Sequence, residues 1–180
     1  MLSTQVGYAG GNTNSPTYHD LEKHAEAVEI RFDADRLSLE KLLELVWAGH
    51  DPTRVGRSSQ YRSALFAQDE EQLTVFRRSA DREAAQRGRA ITTEIVAGAP
   101  FYAAEAYHQK WYLRRHPQLL DELVAHYSGE REALASTAAA RLNGYLGGAG
   151  TAEQLERDID RLGLSDSAKS YLRKTVSRWG

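Results

Sequence analysis

Three side chains of this sequence could together bind and protonate a polar oxygen atom: the carboxyl group of Glu26 and the hydroxyls of Tyr18 and Tyr61. A tyrosine hydroxyl donates a hydrogen bond, and a protonated glutamate can pass its proton to a leaving oxygen. The combination indicates a site for a neutral substrate, although each tyrosine alone equally fits a core aromatic residue. The candidate polar residues lie at predicted loop–strand junctions: Tyr18, His24, Glu26, His50, Asp51, Tyr61 and Arg62.

The segment 24–32 alternates cleanly and is predicted to be a β-strand with one buried face. That face would carry His24, Glu26, Val28, Ile30 and Phe32. A carboxyl group held among apolar side chains is costly to ionise, which would make Glu26 an acid near neutral pH. The alternative is that the strand end is wet and Glu26 lies at a solvated rim.

A metal site is the competing interpretation of the same residues. His19, His24 and Glu26 could converge, and Glu105-x-x-His108 would lie on one helical face. Di-iron carboxylate bundles need two such helices, and the sequence offers one, so neither a metal nor a cofactor is predicted. The chain has no cysteine, which excludes disulfides, thiolate catalysis and cysteine-based metal sites within these residues.

Alternating strands and helices over residues 1–117 predict a two-layer α/β domain that positions these side chains. The predicted strands cover 3–9, 24–32, 62–67 and 91–96, and the predicted helices cover 39–48, 70–88 and 103–116. Helix caps are expected from Ser38 and from Asp69 with Gln72, and Gly49 and Gly88 are expected to end the first two helices.

Residues 118–180 read as an all-helical extension, with helices at 118–127, 130–142, 151–162 and 165–178. Thr151 with Gln154 should cap the third helix and Ser165 the last. Residues 143–150 are rich in glycine but follow no strand, so they indicate a hinge or a close-packed turn and not a nucleotide loop. The apolar stripes favour packing within the protein, with docking of another protein as the alternative: Leu155, Ile159, Leu162, Ala168, Tyr171, Leu172 and Trp179.

The chain has 23 basic and 25 acidic residues, and this balance does not indicate binding to nucleic acid or to an anionic membrane. No apolar run has the length of a transmembrane helix, and no signal-peptide pattern opens the chain. With no disulfides either, a cytoplasmic location is expected.

Six motifs, in order, give the sequence its resemblance to a known family. They are Gly7-Tyr8-Ala9-Gly10-Gly11, Ser15-Pro16-Thr17-Tyr18, His24-Ala25-Glu26-Ala27-Val28, His50-Asp51-Pro52-Thr53, Gln60-Tyr61-Arg62-Ser63-Ala64, and Pro100-Phe101-Tyr102 through Glu105 to His108-Gln109. Over residues 2–115 the chain resembles the A-type peptide methionine sulfoxide reductases. The resemblance implies a two-layer α/β plait and reduction of the S-epimer of methionine sulfoxide, free or in proteins, with thioredoxin as the usual reductant.

The resemblance also implies roles for individual residues. In that family a cysteine thiolate attacks the sulfoxide sulfur, a glutamate protonates the oxygen, and two tyrosines and an aspartate hold the substrate oxygen and water. By motif, the glutamate is Glu26 and the tyrosines are Tyr18 and Tyr61, which agrees with the chemistry expected from the residues alone. Proton delivery matters because the departing oxygen is otherwise a poor leaving group.

The sequence also departs from the family pattern. The family's nucleophile lies in a Gly-Cys-Phe-Trp motif at the end of a strand upstream of Gly7-Tyr8, and no such motif occurs in these 180 residues. The loop 53–60 contains no aspartate, and resolving cysteines near the C-terminus are absent. The expectation is an N-terminally truncated reductase with an exposed sheet edge and an uncovered apolar face. The alternative is a pseudoenzyme that binds oxidised methionine or a protein partner.

Overall fold

Two small β-sheets carry the first part of the chain in the computed structural model, which describes residues 2–177. The strands are β1 (Ser3–Ala9), β2 (Ala25–Arg31), β3 (Ala64–Ala67), β4 (Glu94–Ala97) and β5 (Phe101–Ala103). One sheet has the order β2-β1-β5, and the other pairs β3 with β4. Strand β5 runs antiparallel to β1, with Tyr8 opposite Tyr102, whereas β3 and β4 are parallel, with Leu65 opposite Ile95.

Eight α-helices complete the described part of the chain. They are α1 (Leu39–Ala48), α2 (Glu70–Arg87), α3 (Trp111–Arg114), α4 (Pro117–Val124), α5 (Glu130–Leu134), α6 (Thr137–Leu146), α7 (Ala152–Asp158) and α8 (Asp166–Val176). Two 3₁₀ turns lie at Ala106–His108 and Ile159–Arg161. The predicted fold class, an α/β part followed by helices only, is confirmed. None of the helices within residues 2–177 combines the length and apolarity that crossing a bilayer requires.

The predicted helix starts are confirmed by their caps. The Ser38 side chain accepts a hydrogen bond from the Lys41 amide, and the Asp69 side chain accepts one from the Gln72 amide. Thr151 with Gln154 forms a complete capping box, and Ser165 caps α8. Such caps satisfy amide groups that have no partner within the helix, which is why short polar residues mark these positions in sequence.

The helix predicted over 103–116 is wrong. These residues form the end of β5, a 3₁₀ turn and the four-residue helix α3. Ala103 pairs with β1, and Lys110 adopts a left-handed backbone conformation with φ of 52° that an α-helix cannot contain. The left-handed residue therefore interrupts the helical periodicity of Tyr107 and Trp111.

The chain divides into two compact units, Val6–Glu105 and a second unit made of the residues up to 5 and from 106 onward. The first unit has a core beneath β3, where α1 and α2 pack; its members are Leu43, Trp47, Leu65, Ala67, Leu73, Val75 and Phe76. A buried hydrogen bond from the Trp47 indole to the Ser79 hydroxyl, 2.8 Å long, links the two helices. The predicted division at residue 117/118 remains a prediction.

The second unit has its own apolar core, contributed by helices α3 to α8. Its largest members are Leu113, Leu119, Leu123, Leu142, Leu155, Ile159, Leu162 and Leu172. Ser136 caps α6, so the helix predicted over 130–142 is split into α5 and α6. The glycine-rich segment ends α6 as a close-packed turn, since a Cβ on Gly147 would lie 2.8 Å from the Tyr112 ring. Trp179 lies outside the described residues.

Candidate functional site

Glu26 is the second residue of β2, and Gln60 holds it by hydrogen bonds. The Gln60 side-chain amide donates a 2.7 Å hydrogen bond to Glu26 Oε1, and the Glu26 backbone N–H donates to the Gln60 carbonyl at 3.0 Å. These two contacts bring Tyr61, the next residue, to the same end of β2. Gln60, the neighbour of Tyr61 in the chain, thus contacts Glu26 although the two residues are 34 positions apart.

The predicted burial of the Glu26 face is wrong at Glu26 and Val28, whereas His24 is buried and Ile30 and Phe32 are half-buried. Glu26 is exposed, and Val28 on the same face is 55% exposed. The physical reason is that this part of β2 borders an open groove instead of a packed core. The alternative that Glu26 lies at a solvated rim of the strand therefore describes its position correctly.

The groove beside Glu26 has a volume of about 350 Å³ and lies between β2 and β3. Its lining is predominantly apolar and includes side chains from both strands, from α1 and α2, and from β5: Val28, Ile30, Phe32, Leu39, Leu42, Leu43, Val46, Phe66, Phe76 and Phe101. The Glu26 carboxyl group is among the few charged groups on its wall. A groove of this composition suits an apolar side chain that carries one polar atom.

Both strands bordering the groove turn an open edge toward it. In β2 the Glu26 N–H bonds to Gln60 and not to β1, so the backbone groups of Val28 and Ile30, two and four residues on, also face away from β1. In β3 the carbonyls of Ser63 and Ala67 accept hydrogen bonds from Glu94 and Gly98 near β4, which leaves Ala64 and Phe66 facing the other way. Within residues 2–177 no strand occupies these edges.

Arg62 fixes the loop that carries Gln60 and Tyr61. Its guanidinium donates to the carbonyls of Lys23 (2.7 Å), Ser59 (2.8 Å) and Gly10 (2.9 Å), and pairs with the Glu94 carboxylate at 3.1 Å. Two ends of the β1–β2 connection and the loop before β3 therefore meet at one side chain. Tyr61 itself is 59% exposed, so packing does not bury its ring.

Tyr18 is placed by a different carboxylate. Its backbone N–H donates to Glu105 Oε1 at 3.1 Å, and the Tyr8 hydroxyl donates to Glu105 Oε2 at 2.7 Å. An antiparallel bridge between Thr17 and Asp20 turns the chain around Tyr18. Tyr18 is 40% exposed, and its ring packs edge-on against the ring of His19.

The remaining candidates have structural contacts. His24 is 1% exposed, and its Nε2–H donates to the Thr13 carbonyl at 2.9 Å, which ties the loop before Tyr18 to the start of β2. His50 contacts the Val46 carbonyl and the Thr93 hydroxyl. Hydrogen bonds from the Thr53 hydroxyl and amide hold the pKa of Asp51 below its usual value.

Two residues that contact the candidate site were assigned no role from sequence: Gln60 for Glu26, and Glu105 for Tyr18. Gln60 could have been found as the neighbour of Tyr61 within its motif. Glu105 was considered only as a metal ligand on a helix, but it precedes the 3₁₀ turn, and its carboxylate is engaged by Tyr8 and Tyr18. In residues 2–177 no three His, Asp or Glu side chains are grouped as a metal ion would require.

Glu26, Tyr18 and Tyr61 offer a proton donor and hydroxyl donors, but of the three only Glu26 lines the apolar groove. The carboxyl of Glu26 can transfer a proton to a bound oxygen, and phenol hydroxyls can donate hydrogen bonds to it. The 180 residues contain no cysteine, so no thiol of this sequence can attack an electrophilic sulfur or carbon atom.

Comparison with known proteins gives two family matches. Residues 1–141 match the family described as peptide methionine sulfoxide reductase. Residues 130–172 match the helical domain of selenoprotein methionine sulfoxide reductase A. The second match falls within the part that was predicted to be a helical extension.

Individual relatives and solved structures agree with these matches. A peptide methionine sulfoxide reductase of Drosophila melanogaster is 38% identical over 175 residues, covering 95% of this chain and 69% of the relative. A rice peptide methionine sulfoxide reductase A5 is 41% identical over 151 residues. The match covers 81% of this chain and 59% of that relative. Methionine sulfoxide reductase A of Corynebacterium diphtheriae is similar in structure, with a TM-score of 0.53, 30% identity and 66% of each chain covered.

Proposed function

Because the chain belongs to the peptide methionine sulfoxide reductase family, we propose that it acts in the thiol-dependent reduction of the S-epimer of methionine sulfoxide, free or in proteins. Glu26 is the proton donor to the sulfoxide oxygen, and the hydroxyls of Tyr18 and Tyr61 hold that oxygen. The observation that carries the proposal is the Glu26 carboxyl group, fixed by Gln60 at the wall of an apolar groove.

The groove chemistry matches the substrate. Methionine sulfoxide has an apolar chain, a methyl group and one polar oxygen, so its apolar part can enter the groove while the oxygen reaches Glu26. A ligand in this position would place its oxygen within reach of the exposed carboxyl group, which proton transfer requires. The sulfur gains two electrons, the oxygen leaves with protons as water, and the thiol reductant is oxidised.

The nucleophile is not among these residues. We propose that a thiol, or a selenol, from outside the 180 residues attacks the sulfur and that thioredoxin is the reductant that regenerates it. The alternative is a non-catalytic protein that binds oxidised methionine or a protein partner. The absence of cysteine from the sequence is the observation that keeps this second function open.

Turnover and binding are measured separately. We expect the 180-residue chain to reduce no methionine sulfoxide with dithiothreitol or thioredoxin, and turnover above that of Glu26→Gln would contradict this. In NMR titrations with N-acetyl-methionine-S-sulfoxide methylamide we expect binding that Glu26→Gln, Tyr18→Phe and Tyr61→Phe each weaken. Tyr112→Phe, which alters a tyrosine of similar exposure (43%) in the second unit, is the control.

A second experiment separates the reductase from the binding protein. A segment containing Gly-Cys-Phe-Trp is fused before residue 1, with Gly-Ser-Phe-Trp as its matched control. Thiol-dependent reduction by the cysteine fusion, lost again with Glu26→Gln, would support the reductase. Binding of the sulfoxide without turnover in either fusion would favour the binding protein, and absence of both would refute the proposal.

A further inference from the structure

Glu105 connects Tyr18 to a buried part of the first sheet. Its Oε1 accepts the Tyr18 backbone N–H at 3.1 Å, and its Oε2 accepts the Tyr8 hydroxyl at 2.7 Å. Tyr8 belongs to β1 and is only 2% exposed, whereas Tyr18 lies in the loop before β2 and is 40% exposed. One carboxylate therefore joins an accessible tyrosine to a fixed strand.

We infer that Glu105 is a positioning residue that sets where Tyr18 presents its hydroxyl to the sulfoxide oxygen. This inference rests on the proposed role of Tyr18. The Tyr18 ring extends from the backbone that this hydrogen bond holds, so a shift of that backbone would move the ring and its hydroxyl. His24 restrains the same loop five residues earlier, through Thr13.

The two bonds require the two oxygens of a carboxylate. Both partners are donors in these contacts, and an ionised glutamate can accept at each oxygen. A glutamine retains one acceptor oxygen and turns an NH₂ group toward the other partner, whereas an alanine retains neither. We therefore expect Glu105→Ala to have a larger effect than Glu105→Gln.

The experiment is a double-mutant cycle on the 180-residue protein. Affinity for N-acetyl-methionine-S-sulfoxide methylamide is measured by NMR titration for Glu105→Ala and Glu105→Gln, each with Tyr18 and with Tyr18→Phe. We expect Glu105→Ala to weaken binding about tenfold, Glu105→Gln less, and both effects to vanish in the Tyr18→Phe background. Equal weakening in both backgrounds would show a general structural effect and overturn the inference. Glu71→Ala, at an exposed position of α2, is the control.

A second measurement does not depend on the ligand. Hydrogen exchange of the Tyr18 amide should accelerate in Glu105→Ala and stay slow in Tyr18→Phe, which retains the backbone N–H. Because Glu105→Ala also removes the acceptor of the buried Tyr8 hydroxyl, the exchange is repeated with Tyr8→Phe, where that hydroxyl is absent. An unchanged Tyr18 exchange rate in Glu105→Ala would overturn the inference. If the unmutated chain fails to bind the sulfoxide, the proposed function fails, and the exchange result alone decides whether Glu105 holds Tyr18.

Discussion

Replacement of Arg62 should destabilise the first unit more than any loss of surface charge could. Its guanidinium donates three hydrogen bonds of 2.7–2.9 Å to the carbonyls of Lys23, Ser59 and Gly10, and its side chain is 14% exposed. The ion pair with Glu94 contributes little, because the Glu94 side chain is 53% exposed. The three carbonyl contacts therefore account for most of the stability that Arg62 contributes.

The magnitude follows from these three bonds. A hydrogen bond that involves a charged group contributes about 1.5–3 kcal/mol, and the freed carbonyls recover part of this by binding water. We expect Arg62→Ala to lower the free energy of unfolding by about 2–4 kcal/mol. Arg62→Lys should lose about 1–3 kcal/mol, because an ammonium group cannot reproduce a planar fork that reaches three separate carbonyls.

Urea unfolding is followed by tryptophan fluorescence in a Trp111→Phe, Trp179→Phe background, where the remaining, buried Trp47 reports on the first unit. Far-UV circular dichroism recorded in parallel reveals whether the two units unfold in one transition. Arg57→Ala, an exposed arginine of the same loop, should change the free energy by less than about 0.5 kcal/mol. An Arg62→Lys variant as stable as Arg57→Ala would refute the reasoning from the three carbonyl bonds.

Two further predictions concern the groove and the helical unit. Val28→Lys adds a charge to an open strand edge at an apolar groove. It should therefore reduce both the fluorescence of bound 1-anilinonaphthalene-8-sulfonate and self-association in sedimentation experiments. The control Val55→Lys, at a valine that is 83% exposed outside the groove, should change neither, and equal effects of the two variants would contradict the prediction. Burial and the Arg115 guanidinium hold the pKa of His116 below its ordinary value of 6.5, so the unfolded chain binds more protons and the helical unit should lose stability as the pH falls below about 6.5. His116→Gln should flatten this dependence in thermal unfolding between about pH 5 and 8, and an unchanged slope would refute the assignment.

The starts of the helices are predicted well because the interactions that begin a helix involve residues close together in the sequence. Each cap bonds to the amide three residues further on, so spacing alone reveals the capping residues, which are Ser38, Asp69, Thr151 and Ser165. The failure at 103–116 has two causes. Ala103 pairs with a residue of β1 that lies almost a hundred positions earlier, and Lys110 adopts a left-handed conformation; periodicity within the segment reveals neither.

The candidate site shows the same division between local and distant causes. Alternation predicts a strand at Glu26, but burial depends on what lies beside that strand, and β2 borders an open groove. The partners of the site residues are also distant. Gln60 contacts Glu26 across 34 positions, and Glu105 contacts Tyr18 across 87 positions. Motif resemblance can identify such residues, but their contacts become known only from the fold.

The exposed position of Glu26 bears on how it could meet a substrate. In the described chain water reaches its carboxyl group, so a ligand oxygen can reach that group as well. A ligand that fills the groove would displace this water from Glu26. Gln60 supports this view, because its amide holds Glu26 Oε1 in place and leaves the second carboxyl oxygen for a ligand. Glu26→Gln should therefore alter binding of the sulfoxide far more than it alters the stability of the free chain.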